Sequence, residues 1–155
     1  MHASFLAKTI DLALENVTSN NGGPFGALVT HRGIIIATGV NQVTLHNDPT
    51  AHAEIVAIRN ACKKLSSFQL TDCIVYSSCE PCPMCLGALY WARPAALYFA
   101  SSRHDAAHVG FDDAIIYEEL LIPHEQRIIS TYHLEIQHHL DPFIAWANTI
   151  LKKEY

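Results

Sequence analysis

The fold has to bring together two stretches of the chain, TAHAE at residues 50–54 and CEPCPMC at residues 79–85. His52, Cys82 and Cys85 are side chains of the types that bind zinc, and three protein ligands leave a fourth position open. Zinc at such a site lowers the pKa of a bound water to about 7. Glu54 is not needed as a ligand, so we expect it to carry protons between that water and a substrate.

Two predicted helix starts are expected to bring these side chains together. The first helix, over residues 49–65, is indicated by Asp48 as its N-cap and Pro49 in its first turn. The second, over residues 82–92, follows Pro81. The histidine and the glutamate would lie in the first two turns of one helix, and the cysteines on one face of the other. Because helix N-termini stabilise thiolates, the sequence predicts a metal site between two of them.

Cys79 leaves a closed structural zinc site open as an alternative. It stands three residues before Cys82, so spacing alone permits a fourth ligand. A fourth protein ligand would remove the open position, and Cys79 is expected to end a strand, so we expect a buried thiol. The same side chains could also be ordinary core residues or a redox pair. The ordered combination of a helix cap, H-x-E and P-C-x-x-C favours the open metal site.

Composition favours one domain that acts on a small molecule. The 155 residues suit a single domain, and 50% hydrophobic against 16% charged residues predicts a sizeable core. No apolar run approaches the ~20 residues of a membrane span. Five cysteines fit a reducing compartment, which predicts the cytoplasm. The net charge of −5, with 10 Lys plus Arg, argues against a nucleic-acid partner, and we expect neither that nor a membrane partner.

Apolar periodicity predicts a three-layer α/β/α sandwich with a mixed central sheet. Strand, helix and strand around the second motif indicate a parallel pair joined by a crossover. A short loop at residues 31–33 indicates an antiparallel hairpin. The predicted elements are a helix over 4–17, strands over 25–30, 34–38, 72–77, 95–100 and 128–136, short helices within 101–119, and a closing helix from Asp141.

The joint pattern of H-x-E and P-C-x-x-C resembles the cytidine-deaminase-like superfamily of zinc-dependent nucleobase deaminases. Within it, nearly the whole chain resembles the small bacterial guanine deaminases. GGPFG at 22–26, NDPTAHAE at 47–54 and SCEPCPMCLGA at 78–88 are pieces shared widely with cytosine and tRNA adenosine deaminases. GFDD at 110–113 and KKEY at 152–155 look like the guanine enzymes in particular. The resemblance implies the same α/β/α fold.

The resemblance also implies an activity, a cofactor and a set of substrate contacts. The activity is hydrolysis of guanine to xanthine and ammonia by a zinc-activated water. The substrate would meet an amide, a backbone N–H, a carboxylate that accepts hydrogen bonds, and aromatic rings that pack on the purine or close the pocket. The residues implied are Phe25, Asn41, Ala53, Trp91, Asp113 and Tyr155.

Other readings of these features stay open. Asp112 and Asp113 could form a solvated turn, and Tyr155 could be a frayed end. The chemistry could serve adenosine in tRNA, or cytosine, instead of guanine. A non-catalytic zinc-binding domain is a third possibility, against which the intact Glu54 argues. The apolar face of the last helix, together with the resemblance, predicts a homodimer whose C-terminal segment is exchanged between subunits.

Overall fold

The computed structural model of the protein describes residues 1–154, and a four-stranded mixed sheet forms its centre. The strand order is β2-β1-β3-β4. The first two pairings along that order are antiparallel, and β3 and β4 are parallel. The strands are β1 (Gly26–His31), β2 (Ile34–Val40), β3 (Cys73–Cys79) and β4 (Ala96–Ser101). The predicted mixed sheet, with its hairpin and its parallel crossover, is confirmed.

A two-residue turn closes the β1–β2 hairpin. Arg32 and Gly33 both have positive φ, 50° and 78°. Positive φ at both positions is the type I′ geometry, whose twist matches that of the flanking strands. His31 therefore pairs directly with Ile34, and the hairpin lies where the sequence predicted it.

Helices cover both faces of the sheet in residues 1–113. The helices of this part are α1 (His2–Thr18), α2 (Val43–His46), α3 (Ala53–Leu65), α4 (Pro83–Ala92) and α5 (Arg103–Ala107). On one face, Phe5 of α1 contacts Tyr76 of β3, with ring centroids 5.1 Å apart. Alternate strand residues, among them Val29 and Val75, face the other way and join Ala57 of α3 in one buried cluster. The three layers agree with the predicted sandwich.

Gly39 lets α3 lie unusually close to the sheet. A Cβ atom at this position would stand 2.2 Å from the carbonyl oxygen of Ala53 and 2.5 Å from the backbone nitrogen of Ala57. Both are backbone atoms, which cannot swing aside. The absent side chain of Gly39 therefore fixes how near the first turn of α3 approaches β2.

The predicted start of α3 at Pro49 is wrong by four residues. The Asp48 carboxylate accepts hydrogen bonds from the backbone N–H and the hydroxyl of Thr50, at 2.8 and 2.7 Å. Asp48 thereby makes a turn with the residue two positions on, in place of a helix cap. The backbone turns at residues 48–51 and is extended at His52, which is the N-cap (φ −69°, ψ 156°). Cys82 is likewise the N-cap of α4, which begins at Pro83, one position after the predicted start.

Residues from Ala114 onward form a second compact unit. Its elements are α6 (Ala114–Leu121), a short 3₁₀ turn (His124–Gln126) and α7 (Asp141–Asn148). The predicted last strand over 128–136 is wrong, since the structure has no strand there. A run of β-formers needs a neighbouring strand to pair with, and the described chain offers this stretch none. The closing helix does begin at Asp141, as predicted.

The chain divides into two compact units, so it stays a prediction that residues 1–155 form a single domain. Among residues 1–154, no helix combines the length and the apolar character that crossing a membrane requires.

Candidate metal and substrate site

His52, Cys82 and Cys85 come together at the N-termini of α3 and α4. The Nδ1 atom of His52 lies 3.5 Å from the sulfur of Cys82 and 3.5 Å from that of Cys85. All three ligand atoms lie within 4.8 Å of one another. Two residues reach the site because the chain is extended at each N-cap, and Cys85 reaches it from the first turn of α4.

The donor set fits a zinc ion with one position open. Zinc–nitrogen and zinc–sulfur bonds of about 2.1 and 2.3 Å at a tetrahedral angle place the two donors about 3.6 Å apart. The observed separations of 3.5 Å agree with that value. Within residues 1–154 no fourth His, Cys, Asp or Glu joins this group. Three protein ligands are the number found at catalytic zinc sites.

The pKa values of the two thiols and the imidazole are shifted in a way that favours binding of a cation. A hydrogen bond from Cys85, assisted by one from His52, lowers the pKa of Cys82 to about 4. The same shared proton, together with burial, raises the pKa of Cys85. The hydrogen bond to Cys82 raises the pKa of His52. The two thiols and the imidazole thus share protons, and a metal ion that binds there would replace the proton between the sulfurs.

Glu54 lies beside the metal ligands, buried and hydrogen-bonded. Its side chain is 5% exposed. One carboxylate oxygen, Oε1, accepts a hydrogen bond of 3.1 Å from the hydroxyl of Ser77, and Oε2 accepts one of 3.5 Å from Cys85. Burial raises the pKa of Glu54, so the group can hold a proton nearer neutral pH than a free glutamate can.

Ser77 is a site residue that sequence reasoning missed. It lies on β3, 1% exposed, and its hydroxyl donates to Oε1 of Glu54. Cys79, at the end of the same strand, stands outside the metal group, and its thiol donates to the carbonyl of Ser102 at 3.5 Å. The structure therefore places Cys79 as a thiol behind the site, as the sequence suggested.

Asn41 has a fixed amide with its donor side available. The oxygen Oδ1 accepts hydrogen bonds from the backbone N–H groups of Gly23, at 3.4 Å, and Val43, at 3.3 Å. Because both partners are donors, the amide has only one sensible orientation. No group within residues 1–154 accepts a hydrogen bond from Nδ2 of Asn41. That amine can donate to an acceptor on a ligand.

Ala53 and Phe25 add a second donor and an apolar wall. Ala53 is the first residue of α3, and its backbone N–H bonds to no group in the described chain, as is usual for the first turn of a helix. Phe25 packs edge-on against Phe111, with ring centroids 4.9 Å apart. That contact brings the segment before Asp113 next to the residues that surround Asn41.

Asp113 supplies an acceptor within the electrostatic reach of the metal ligands. Its carboxyl is partly buried, and burial is the main cause that raises its pKa. The negative charge of Cys82 raises that pKa further, and Arg103 lowers it. Phe111, two residues before Asp113, packs against Phe25, whose carbonyl accepts the backbone N–H of Asn41, so this part of the chain lies next to Asn41.

The structure does not bring Trp91 into this group. Its side chain is 64% exposed, and it lies in the last turn of α4, about 9 Å along the helix from Cys85. Packing of Trp91 against a base stays a prediction. Tyr155, the predicted closing residue of the pocket, lies outside the described residues.

Comparison with known proteins agrees with this site. Residues 1–101 match the family described as the cytidine and deoxycytidylate deaminase zinc-binding region. The chain is 56% identical over 154 residues to the guanine deaminase of Bacillus subtilis (strain 168), which covers 99% of each protein. The X-ray structure of guanine deaminase from Bacillus subtilis superposes with a TM-score of 0.98 and 55% identity, over 100% of this chain and 99% of that one.

Similarity to tRNA deaminases is more limited in extent. A tRNA-specific adenosine deaminase of Buchnera aphidicola (subsp. Baizongia pistaciae) is 39% identical over 99 residues, 64% of this chain and 57% of that protein. The chain belongs to the cytidine and deoxycytidylate deaminase family. Its cofactor is zinc, and it is a zinc-dependent hydrolase.

Proposed function

We propose that this protein hydrolyses guanine to xanthine and ammonia. The observation that carries the proposal is the fixed amide of Asn41, whose neighbour Gln42 bonds to Ala51 just before His52, together with the Phe25–Phe111 contact that holds the segment of Asp113 nearby. Similarity to a guanine deaminase along 99% of the chain supports the same substrate. The partner is then a small purine base.

The acceptor decides between bases. Guanine carries donors at N1–H and at the amino group on C2, so the edge that reacts needs an acceptor opposite it. Ionised Asp113 can only accept hydrogen bonds. Cytosine and adenine each place a bare ring nitrogen next to their amino group, and that nitrogen would face the carboxylate with repulsion. A site that leaves a buried charge unpaired rejects the wrong base strongly.

The donors and the aromatic wall orient the base. The amine of Asn41 and the backbone N–H of Ala53 serve acceptors on guanine, and Phe25 packs on its plane. These groups are held by backbone contacts, so they need little rearrangement when the base binds. Orientation of this kind lowers the barrier without any new bond.

Glu54 moves the protons. When bound, zinc supplies a nucleophile at neutral pH by lowering the pKa of a coordinated water. Ser77 donates to Oε1 of Glu54, and Oε2 accepts only from the thiol of Cys85. A thiol loses its proton when it binds a metal, so Oε2 would then be the oxygen that can carry a proton. Glu54 takes one proton from the water and delivers it to N3 of the base as the water oxygen adds to C2. It then takes the remaining proton from that oxygen and passes it to the amino group, which leaves as ammonia while C2 keeps the oxygen as a carbonyl.

The first experiment measures substrate choice. Purified zinc-loaded protein is assayed for ammonia release from guanine, adenine, cytosine and a tRNA anticodon stem. We expect turnover of guanine, and a loss of at least about 100-fold in kcat/KM in Asp113→Ala with zinc content unchanged. Asp11→Ala, which removes an exposed carboxylate on α1, is the matched control and should behave as wild type. If the protein turns over cytosine or tRNA but not guanine, the proposed substrate is wrong and only the deaminase chemistry is supported.

The second experiment separates the proton carrier from the ligands. Glu54→Gln should keep one zinc per chain and lose about 10²-fold or more in kcat, because a neutral amide cannot move the proton. Metal analysis of that variant decides the point. Loss of zinc along with activity would mean that Glu54 is a ligand. Full activity would favour a site that does not use Glu54 at all.

We propose further that the protein is a homodimer with exchanged C-terminal segments. No residue from 114 to 154 is buried in the single chain, although the stretch is rich in large apolar side chains. A unit without buried residues has no core of its own, and apolar surface of this extent needs a partner. A second copy of the chain carries the same apolar surface, in the same quantity, and the two surfaces can cover each other.

Complementation tests the exchange directly. Glu54→Gln and a variant lacking residues 152–155 should each have little activity. If the tail completes the neighbour's site, mixing and refolding the two restores one intact site per heterodimer, about a quarter to a half of wild-type activity. If each tail serves its own chain, the mixture stays inactive. A monomeric mass by light scattering in the active protein contradicts the dimer outright.

The five cysteines are all free thiols in the structure. Free thiols next to a metal site persist in a reducing compartment, which supports a cytoplasmic location.

A further inference from the structure

Asn16, near the end of α1, has an amide whose bonding serves neither its own helix nor the metal. The side chain is 3% exposed. Its Nδ2 atom donates to two carbonyl oxygens, those of Gly23 and Asn41, each at 2.9 Å. An amide amine has two hydrogens, so both bonds form at once. A flipped amide would point oxygen at two carbonyls, which settles the orientation.

Both carbonyls belong to the proposed base-binding residues or their immediate supports. The carbonyl of Asn41 lies on the residue whose amine is available to a ligand. The carbonyl of Gly23 also accepts the backbone N–H of Phe25, at 2.9 Å. Phe25 in turn accepts the backbone N–H of Asn41 through its own carbonyl, at 3.1 Å. Asn16 therefore ties the donor and the aromatic wall into one hydrogen-bonded unit.

The loop at Gly22 packs tightly against Asn41 and Asn16. A Cβ on Gly22 would stand 2.2 Å from the carbonyl oxygen of Asn41 and 3.1 Å from Nδ2 of Asn16. The loop can lie against Asn41 only because residue 22 has no side chain. Without the bridge, the carbonyl of buried Asn41 would lose this donor and the carbonyl of Gly23 would keep only the N–H of Phe25, so the tie between the loop and Asn41 would be lost.

We propose that Asn16 is a positioning residue that sets the affinity for the base while leaving the chemistry at zinc and Glu54 untouched. It acts through Asn41 and Phe25, and it bonds to neither the metal ligands nor the proton carrier. Because the role concerns recognition of guanine, it rests on the function proposed above. Asn16→Leu, which keeps the branching at Cγ in a somewhat larger side chain and removes both donors, should raise KM for guanine about tenfold and change kcat less than threefold.

Thr9→Val is the matched control for a purely structural loss. Thr9 lies on the same helix, is fully buried, and its hydroxyl bonds only to the carbonyl of Leu6 within α1. Thr9→Val deletes a hydrogen bond made by a buried side chain, as Asn16→Leu does. The thermal stability of the two variants should therefore fall to a similar degree. KM and kcat of Thr9→Val should both stay within about twofold of wild type.

Binding is measured separately from turnover. In the zinc-loaded Glu54→Gln background, the dissociation constant of guanine is followed by tryptophan fluorescence, with and without Asn16→Leu. A weakening of about tenfold supports the positioning role. If Asn16→Leu does not purify folded, Asn16→Asp, which keeps the shape and turns the amine into an acceptor, takes its place.

Three results decide the matter. Unchanged KM and affinity in both Asn16 variants overturn the positioning role, while wild-type guanine turnover shows that the proposed function still holds. A fall in kcat without a change in KM overturns it too, because the effect then reaches the chemistry. Wild-type protein that does not bind guanine overturns the proposed function itself, and with it any role in guanine recognition.

Discussion

Replacing Gly39 by alanine tests whether the closeness of α3 to the sheet is what assembles the site. The new Cβ would stand 2.2 Å from the carbonyl oxygen of Ala53. Real Cβ atoms essentially never come closer than 3.0 Å, so the first turn of α3 must move by at least the difference, 0.8 Å. That turn begins at the N-cap His52 and carries Glu54. The ligands on α4 belong to another element and do not move with it.

The expected size follows from two effects of that displacement. Overpacking of this kind costs about 1–3 kcal/mol in the free energy of unfolding. A shift of about 1 Å in a catalytic group costs about 100-fold in rate. Gly39→Ala should therefore lose about 100-fold in kcat/KM for guanine and bind zinc more weakly, while it still folds.

The control is a second Gly→Ala change that has room. A Cβ on Gly87, in α4 and two residues after Cys85, meets nothing within 4 Å. Gly87→Ala should be neutral or stabilise by about 0.5–1 kcal/mol, since alanine favours the helix. Urea unfolding, zinc content and kcat/KM are measured for both variants. Equal values for Gly39→Ala and Gly87→Ala would falsify the reasoning, and lost stability with full activity would show that the site does not depend on this contact.

Three further changes probe single contacts. Ser77→Ala removes the donor to Glu54 and should lower kcat about tenfold with zinc retained; an unchanged kcat contradicts the assigned contact. Cys79→Ser should keep one zinc per chain by metal analysis, since the thiol bonds to a carbonyl, and loss of the metal would restore the closed-site alternative. Burial raises the pKa of Asp113 above the ordinary 3.8. As pH falls through that raised value the carboxylate gains a proton and stops being acceptor-only, so KM for guanine should rise at a higher pH than an exposed aspartate would give. Asp113→Asn should show no such rise, and a wild-type KM independent of pH down to 3.8 contradicts the assignment.

The metal group could be predicted because H-x-E and P-C-x-x-C are recognisable short motifs, although His52 and Cys82 are 30 residues apart. Each motif spans a few residues, and a helix start fixes where the side chains of that motif point. Ser77 and Asn16 could not be found in the same way. Their partners are 23 and 25 residues distant along the chain, and a serine in a strand or an asparagine in a helix has no pattern that announces such a contact. Only the fold brings these pairs together.

The wrong start of α3 has a different cause. Asp-Pro is a good helix opening, but the same aspartate can bond two residues ahead, and here it bonds twice to Thr50. The turn that results delays the helix until after His52, whose backbone is extended. An extended N-cap, unlike a residue inside the helix, can aim its ring at Cys82 and Cys85. The local error therefore falls at the position where the metal site requires an irregular backbone.

The failed strand at 128–136 shows what an apolar pattern measures. Ile128, Ile129 and Leu134 are 73%, 79% and 77% exposed, although residues of this type are normally covered. A sequence records which side chains have to be buried, but it does not record whether the covering surface belongs to the same chain. In residues 1–113 the sheet and its helices supply that surface, and the predicted elements there form. From residue 114 onward the single chain buries none of its described side chains. The apolar pattern that led to the wrong strand prediction is thus the reason to look for a second copy of the chain. Burial of these side chains in a dimer would explain why they are apolar.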